Sequence, residues 1–350
     1  MNLELEALNA FLDANRGASA LVLATVVATE GSTYRKPGAM LLSNEAGEFA
    51  GLISGGCLES DLVAQARDVL ESGKPQRLSY DLKDDDELVL GLGLGCGGAV
   101  HLLVQRVVPA NDFAPLGPLF DRLGEGRRCQ LGLVIEGERL GEAALVDDQG
   151  EPWGPEPLVE ALAGAPSPRP GRAGRARSVS LESGTEQMLC VDVRPTPRVL
   201  ICGAGLDALP LAAQVLALGW RCTVTDHRPA SLAAERLPAG VESVCARPDR
   251  VGEAVDLAAF DAAVVMTHHV EHDASYLAQL AEHDMAYLGV LGPRARRDQL
   301  LQTIGKPDLP VRGPVGLDLG AELPEAIALA VMAEIHAVLA GRQAGSLDHG

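Results

Sequence analysis

The sequence has little positive charge. Its 350 residues include 48 acidic and only 29 basic side chains, which gives a formal net charge of −19 at pH 7. A surface of this sign repels the phosphates of nucleic acids and the head groups of anionic membranes. We therefore expect neither nucleic acid nor a membrane as a partner. An anionic small molecule would have to be held by backbone N–H groups, helix N-termini and a few placed arginines.

Long apolar segments are also missing. The longest apolar run, residues 20–28, is about half as long as a membrane span needs to be. The first residues, MNLELEALNAFLD, are acidic and amphipathic, which is not the pattern of a secretory signal peptide. These two features predict a cytoplasmic protein.

Cysteine pairs with metal-binding spacing are absent. The chain has seven cysteines, and no two of them are separated by two residues. An odd number without that spacing argues against both a disulfide framework and a zinc finger. Thiols in the cytosol stay reduced, so we expect neither disulfides nor a structural metal.

The length predicts two domains. The first, 1–194, mixes helices and strands as an α+β domain, and the low-complexity segment 164–178 within it is expected to be a flexible loop. A hairpin over 179–193 is expected to rejoin the first sheet. The stiff connector Arg194-Pro195-Thr196-Pro197 then marks the domain boundary.

The second domain, 198–350, alternates strands and helices. The expected strands are 198–202, 221–225, 243–245, 261–266 and 285–290, and the expected helices lie near 207–218, 230–236, 253–257, 273–283, 294–304 and 323–341. This alternation predicts a doubly wound parallel sheet. The fold class is therefore α/β, with an N-terminal α+β domain followed by a Rossmann-like domain.

Two of the cysteines lie inside glycine clusters, one in SGGCLES (54–60) and one in GLGLGCGG (91–98). Glycine removes the side chain that would block a ligand and permits a positive φ. Together the clusters predict a pocket lined by backbone with sulfur at its surface. The alternative is a pair of tight turns that carry small apolar residues. The candidate residues are Gly55, Gly56, Cys57, Cys96, Gly97 and Gly98.

A second candidate site begins at Gly203-Ala204-Gly205, which follows an expected strand and opens a helix. Ala208 occupies the third small position, and Asp226 ends the next strand. This arrangement predicts a nucleotide site in which Gly203 and Gly205 admit a pyrophosphate and Asp226 holds a ribose diol. Asp207 would compete with a phosphate at the helix N-terminus. A purely structural Rossmann scaffold is the alternative.

His268 follows the expected strand 261–266 at the same edge of the sheet. A helix would present His268 and His272 on one side, because they are four residues apart. No third ligand has a fixed spacing to them, so we expect polar contacts to a ligand rather than a metal.

Arg294 begins a helix after Gly292-Pro293, where an anion could lie between arginine and the helix end. Arg296 and Arg297 are equally well explained by pairing with the protein's own carboxylates. Asp318, between two glycines, is a further binding candidate.

Seven segments resemble, in order, the xanthine dehydrogenase accessory family of the XdhC/CoxI type. They are GSTYRKPGA (31–39), SGGCLE (54–59), LGLGCGG (92–98), PRVLICGAG (197–205), TH (267–268), LGVLGPRARR (288–297) and GLDLGAELPEAIA (316–328). The chain departs from the family at Leu206, where histidine is common. It also departs at Asp207, usually small or apolar, and at His269, often acidic.

The resemblance implies a chaperone that binds molybdenum cofactor (molybdopterin), protects it and delivers its sulfurated form to a molybdenum hydroxylase such as xanthine dehydrogenase. Cys57 and Cys96 then become cofactor-pocket residues, and Gly203, Gly205 and Asp226 form the Rossmann site, where NAD(P) is a candidate ligand. The implied partners are the hydroxylase apo-enzyme and a cysteine desulfurase, and a homodimer is expected. Such a protein is a binding and transfer factor rather than a turnover enzyme.

Two other functions remain open. One is an NAD(P)-linked oxidoreductase that uses Asp226 and His268. The other is a sulfur-transfer enzyme with a persulfide on Cys57, although no cation is close to Cys57 in sequence unless folding brings Arg35 or Lys36 near it. Glu59 is expected to cap the following helix, with fixing of the loop as the alternative role.

Overall fold

The computed structural model describes residues 2–56, 58–81, 98–165, 176–181 and 184–346, and only the backbone at positions 2 and 3. The main chain divides into two compact units between Pro195 and Thr196. Within the described residues, no helix is both long and apolar enough to cross a membrane.

The first unit contains two five-stranded antiparallel sheets. Its strands are β1 (Leu21–Glu30), β2 (Met40–Ser43), β3 (Phe49–Gly51), β4 (Gln76–Asp81), β5 (Ala99–Val107), β6 (Cys129–Glu136), β7 (Ala143–Asp147), β8 (Pro152–Trp153), β9 (Ala176–Ser180) and β10 (Gln187–Val193). The first sheet has the order β3-β2-β1-β5-β4, and the second has the order β8-β7-β6-β10-β9.

Helices pack on both faces of these sheets. The helices of this unit are α1 (Asn2–Ala14), α2 (Glu59–Ser72), α3 (Leu116–Gly124) and α4 (Glu156–Gly164). Alternate residues of a strand point to opposite faces, so both faces of each sheet can be apolar. On β5, Leu103 packs into a core that the two sheets share with α1 and α3, whereas Leu102 packs with α2. Leu158 of α4 packs on the second sheet.

The second unit is built on a parallel sheet. Its strands are β11 (Arg198–Cys202), β12 (Arg221–Asp226), β13 (Glu242–Cys245), β14 (Ala262–Val265) and β15 (Tyr287–Val290), in the order β13-β12-β11-β14-β15. Its helices are α5 (Ala208–Ala217), α6 (Val251–Ala254), α7 (Val270–Leu280), α8 (Arg294–Thr303) and α9 (Pro324–Leu339). One core lies under α5 and α9 and the other under α7 and α8. The predicted fold class is confirmed.

The strand order reverses between β11 and β14. Ligands of doubly wound sheets bind outside the carboxyl ends of the strands at such a reversal. The loops that follow these two strands are therefore the expected ligand edge of the second unit.

Three expectations for individual segments are wrong. The hairpin of β9 and β10 joins the second sheet rather than the first, because β10 pairs with β6. The segment 164–178 is not a loop at its ends, since residue 164 closes α4 and 176–178 belong to β9. A single 3-10 turn, Pro229–Leu232, replaces the helix expected at 230–236. Packing supplies most of the stability of a short helix, and none of the residues 233–237 is fully buried.

Candidate functional site

The described residues next to the two glycine clusters leave the first sheet at the same end. Glu30, the last residue of β1, pairs with Ala99, the first residue of β5. Gly51, at the end of β3, pairs with Leu41, near the start of β2. Because neighbouring strands are antiparallel, Gly98 and the segment that follows β3 emerge at this same edge. The register thus directs two parts of the chain, more than forty residues apart in sequence, towards the same end of the first sheet.

The glycines at this edge have different structural roles. A Cβ on Gly98 would lie 2.4 Å from the carbonyl oxygen of Glu30 and 2.6 Å from that of Ser32, so the close approach of two backbones requires glycine there. At Gly55 and Gly56 a Cβ would meet no described atom within 4 Å. Both residues are exposed, and no described atom of the chain would stand in the way of a ligand that approached their backbone. The other three residues of the predicted site lie outside the described residues: Cys57, Cys96 and Gly97.

The buried carboxylate of Glu59 holds the loop that precedes α2. Its Oε1 accepts hydrogen bonds from the backbone N–H groups of Ile53 (3.2 Å) and Ser54 (2.8 Å). Its Oε2 accepts from the Ser54 hydroxyl (2.6 Å) and from the N–H of Leu58 (3.1 Å). The Ser54 oxygen in turn accepts from the N–H of Gly56 (3.2 Å). Glu59 therefore fixes the loop, and the expectation that capping is its main role is wrong.

Arg35 and Lys36, the two cations that could lie near Cys57, differ in whether a carboxylate balances their charge. Arg35 forms an ion pair with Glu4 of α1, so a carboxylate already balances its charge. Lys36 is exposed on the loop 31–39, and its Nζ lies 3.4 Å from the Thr33 hydroxyl. Of the two cations, only Lys36 keeps its charge unbalanced by a described carboxylate.

At the carboxyl edge of the parallel sheet, the turn 203–205 lies directly against the end of β14. Gly203 has φ +113°, and a Cβ there would lie 2.9 Å from the carbonyl oxygen of Met266 and 3.0 Å from the Cα of Thr267. A Cβ on Gly205 would lie 4.0 Å from the ring of His268. Folding thus brings the predicted Gly203, Gly205 and His268 together.

Asp226 also joins this turn. Its side chain is 3% exposed, and its Oδ2 accepts from the N–H of Ala204 (2.9 Å) and from Arg228 Nη2 (2.8 Å). Its Oδ1 accepts from the backbone N–H and Nε of Arg228, both at 2.9 Å. Burial raises the pKa of Asp226, but these donors outweigh it and bring the pKa to about 2. A ribose diol would have to displace Arg228 to bind this carboxylate.

Asp207 and His268 form a pair that no sequence pattern indicated. His268 Nε2 lies 2.7 Å from Asp207 Oδ2. Asp207 occupies the N-cap position of α5 without capping it through its side chain, and its buried Oδ1 has no hydrogen-bond partner among the described atoms. His268 adopts φ +61°, a strained value for a residue with a side chain. Both side chains lie next to Gly205, in the turn 203–205, where the strand order of the sheet reverses.

His268 and His272 do not share a helix face, as their spacing had suggested. Helix α7 begins at Val270, so His268 precedes it. The ring of His272 lies instead 4.3 Å from that of His269 and 4.6 Å from that of His227, measured between centroids. Burial lowers the pKa of His272, and the two neighbouring imidazoles lower it further. In the described part of the chain, no cluster of three or more His, Cys, Asp or Glu side chains could hold a metal ion.

Asp273 is a buried residue that sequence reasoning missed. Its Oδ1 accepts from the Thr267 hydroxyl (2.5 Å) and N–H (3.1 Å), and its Oδ2 accepts from Arg296 Nη2 (2.5 Å). The acid in the first turn of α7 was visible in the sequence, but its long-range partner was not. Asp273 holds the loop that presents His268.

The three arginines after β15 differ in their partners. Arg296 pairs with Asp273 and Arg297 with Asp298, which is the self-pairing that the sequence left open. Arg294 is exposed, and its side chain forms no ion pair or hydrogen bond with a described residue. Asp318 is exposed as well, and no hydrogen bond or ion pair to a described residue ties it to the turn 203–205.

Replacing the loop-holding carboxylate should destabilise the first unit. We expect Glu59→Gln to lower the free energy of unfolding by about 2–3 kcal/mol, because an amide cannot accept all the buried N–H groups that now point at Glu59. Denaturant unfolding measures this change. The matched control is Glu71→Gln on the exposed side of α2, which should change the free energy by less than about 0.5 kcal/mol. Equal effects of both changes would contradict the assignment.

Asp226 should make stability depend on pH. Its pKa falls from 3.8 to about 2 on folding, so its stabilisation is complete above the unfolded value and is lost as the pH falls through the folded one. We expect Asp226→Asn to lower the free energy of unfolding by about 2 kcal/mol at pH 7. Urea unfolding should show the difference from wild type shrinking between about pH 4 and pH 2. A difference that does not vary with pH would refute this account.

Comparison with known proteins finds a family match in each of the two units. Residues 199–335 match the family model of the XdhC Rossmann domain, and residues 15–81 match that of the XdhC and CoxI family. A Bacillus subtilis protein named as a probable subunit of xanthine dehydrogenase is 32% identical over 317 residues, which cover 90% of this chain and 92% of that protein. The Escherichia coli molybdenum cofactor insertion chaperone PaoD is 24% identical over 91% of this chain and 83% of its own length.

A solved structure extends the likeness to nearly the whole chain. The crystal structure of a Bacillus halodurans protein described as a xanthine dehydrogenase is 30% identical, with a TM-score of 0.75 and coverage of 98% of both chains. At this identity and coverage the relationship is one of family and not of fold alone. The chain therefore belongs to the XdhC and CoxI family.

Proposed function

We propose that this protein is a molybdenum cofactor maturation factor, which binds and protects the molybdopterin cofactor and delivers it to a molybdenum hydroxylase of the xanthine dehydrogenase type. Family membership and the likeness to an insertion chaperone support this function. The structural observation that carries it is the loop before α2, where Glu59 fixes the backbone and two exposed glycines have no described atom within 4 Å of where a Cβ would lie.

The residues at this edge suit such a cofactor. Molybdopterin carries an anionic phosphate and a dithiolene that decomposes in water and air, so its carrier needs N–H donors, shelter and a soft ligand. The backbone at Gly55 and Gly56 would admit the cofactor without a described side chain in the way. The positive end of the 14-residue helix α2 lies beside this loop. A thiolate at Cys57 would supply the soft ligand.

Cys57 is expected to retain the cofactor. Protein purified from a molybdopterin-producing host should carry bound pterin, and Cys57→Ala should lose most of it, because the variant lacks the sulfur ligand. Fluorescence of the released, oxidised pterin measures the content. The control, Cys245→Ala, removes an exposed cysteine of the second unit and should retain the pterin.

In the same experiment, Cys96→Ala distinguishes a cysteine that binds the cofactor from one that only shapes the loop. A partial loss of pterin is expected, because we assign Cys96 to shaping the loop. Equal pterin in wild type and Cys57→Ala would refute the role of that thiol, and no pterin in any of the proteins would refute the function. The cysteine desulfurase, the homodimer and the cytoplasmic location stay predictions.

For the second unit we infer a nucleotide such as NAD(P) at the turn 203–205. The support is the position of this turn at the reversal of the sheet, with Asp226 beside it. Against it stands Asp207, whose negative charge lies at the N-terminus of α5, where a phosphate would bind. A substitution of Asp207 therefore tests whether a nucleotide binds at this turn.

Removing that charge should strengthen nucleotide binding. We expect Asp207→Asn to bind NADH or NADPH roughly two- to fivefold more tightly than wild type, since a carboxylate no longer competes with the phosphate. The fluorescence of the reduced nicotinamide reports binding. If neither nucleotide changes in fluorescence with wild type or with the variant, the second unit is a structural scaffold.

A further inference from the structure

The acid that would bind the ribose of a nucleotide is already fully engaged. Asp226 ends β12, where Rossmann domains that bind NAD place the carboxylate for the ribose 2′-hydroxyl. Its Oδ1 accepts from the N–H and the Nε of Arg228, and its Oδ2 accepts from Arg228 Nη2 and from the N–H of Ala204. A carboxylate has about four acceptor sites, so these donors leave none for a hydroxyl.

Arg228 replaces this carboxylate as the group that a ribose would meet. Its side chain is 55% exposed, although it pairs with the buried Asp226. The pair uses Nε and Nη2, and Nη1 donates no hydrogen bond to a described residue. A guanidinium has no acceptor for the proton of a hydroxyl, but its planar fork suits the oxygens of a phosphate. The end of β12 therefore favours a phosphate where an NAD site needs a hydroxyl.

A second arginine follows the neighbouring strand at the same edge. Cys245, the last residue of β13, is the register partner of Asp226, and the N–H of Ala246 still donates to the Asp226 carbonyl oxygen (3.2 Å). The two chains therefore leave the sheet side by side, and Arg247 is the next residue along. Among the described residues Arg247 pairs with Asp249, and both side chains are exposed. Solvent screens such an ion pair, so Arg247 can exchange its partner for a phosphate.

We propose that the nucleotide of the second unit carries a phosphate on its ribose 2′-oxygen, so that NADPH binds in preference to NADH, and that Arg228 is the residue that selects it. This inference rests on the nucleotide proposed above for the turn 203–205. The 2′-phosphate accepts from Arg228 Nη1 and meets the charge of Arg247. NADH would have to displace Arg228 from Asp226 before its 2′-hydroxyl could donate to that carboxylate. In a chain with a formal net charge of −19, the two arginines also offset the repulsion of an additional phosphate.

Titration of the full-length protein with each nucleotide tests the preference. The fluorescence of the reduced nicotinamide reports binding. We expect wild type to bind NADPH roughly tenfold or more tightly than NADH, because a phosphate forms charge-assisted hydrogen bonds that a hydroxyl does not. Arg247→Gln should weaken NADPH binding roughly threefold and leave NADH binding unchanged. The matched control, Arg221→Gln, removes an exposed arginine at the opposite end of β12 and should change neither affinity.

Arg228→Gln distinguishes selection from a structural role. It removes the guanidinium and frees acceptor sites on Asp226, so NADPH binding should fall roughly tenfold while NADH binding stays the same or strengthens. If Arg228 only stabilised the loop, both nucleotides would lose affinity alike, which would contradict the inference. Arg228→Lys keeps a positive charge beside Asp226 without the planar fork, so it should fold and retain part of the preference.

The remaining outcomes distinguish this inference from the nucleotide site on which it rests. Wild type that binds NADH as tightly as NADPH, or an NADPH preference that persists in Arg228→Gln, would overturn the selection by Arg228 and leave the nucleotide site in place. Fluorescence that changes with neither nucleotide would refute the nucleotide site, and the inference with it.

Discussion

Buried carboxylates that must be paired determine the backbone at both candidate sites. Glu59 gathers the N–H groups of the loop before α2, Asp226 ties the turn 203–205 to the end of β12, and Asp273 anchors the loop with His268. A charge can be buried only if several donors surround it, so each of these residues selects one loop conformation out of many. Some of the many acidic residues of the chain thus hold loop conformations in its interior.

The two units place their sites by different topological rules. In the first unit antiparallel pairing returns the chain to one edge, which brings Gly98 to the same edge as the loop held by Glu59. In the second unit parallel strands all end at one edge, and the order reverses between β11 and β14. The turn 203–205 and His268 follow these two strands. Among the described site residues, the glycines and His268 lie in loops that follow or precede strands, whereas Asp226 is the last residue of β12.

The sequence predicted the parts of the fold that depend on local pattern. Alternating strands and helices indicated the parallel sheet, and the turn 203–205 with Asp226 indicated its ligand edge. The errors have a common cause. Whether a hairpin joins one sheet or another, and whether Glu59 caps a helix or holds a loop, depends on partners that the local pattern does not contain. The self-pairing of Arg296 could be anticipated from charge, but not its partner Asp273.

The sequence by itself determined the composition of the elements, the two glycine clusters with their cysteines and the resemblance to the XdhC and CoxI family. Tertiary structure alone decided that Asp207 meets His268 across 61 positions. It also decided that the close approach of a neighbouring backbone requires glycine at position 98, whereas a Cβ at position 56 would meet no described atom within 4 Å. The physical reason is that periodicity and propensity act over a few residues. Burial and hydrogen-bond pairing are instead settled between strands and loops far apart in the chain.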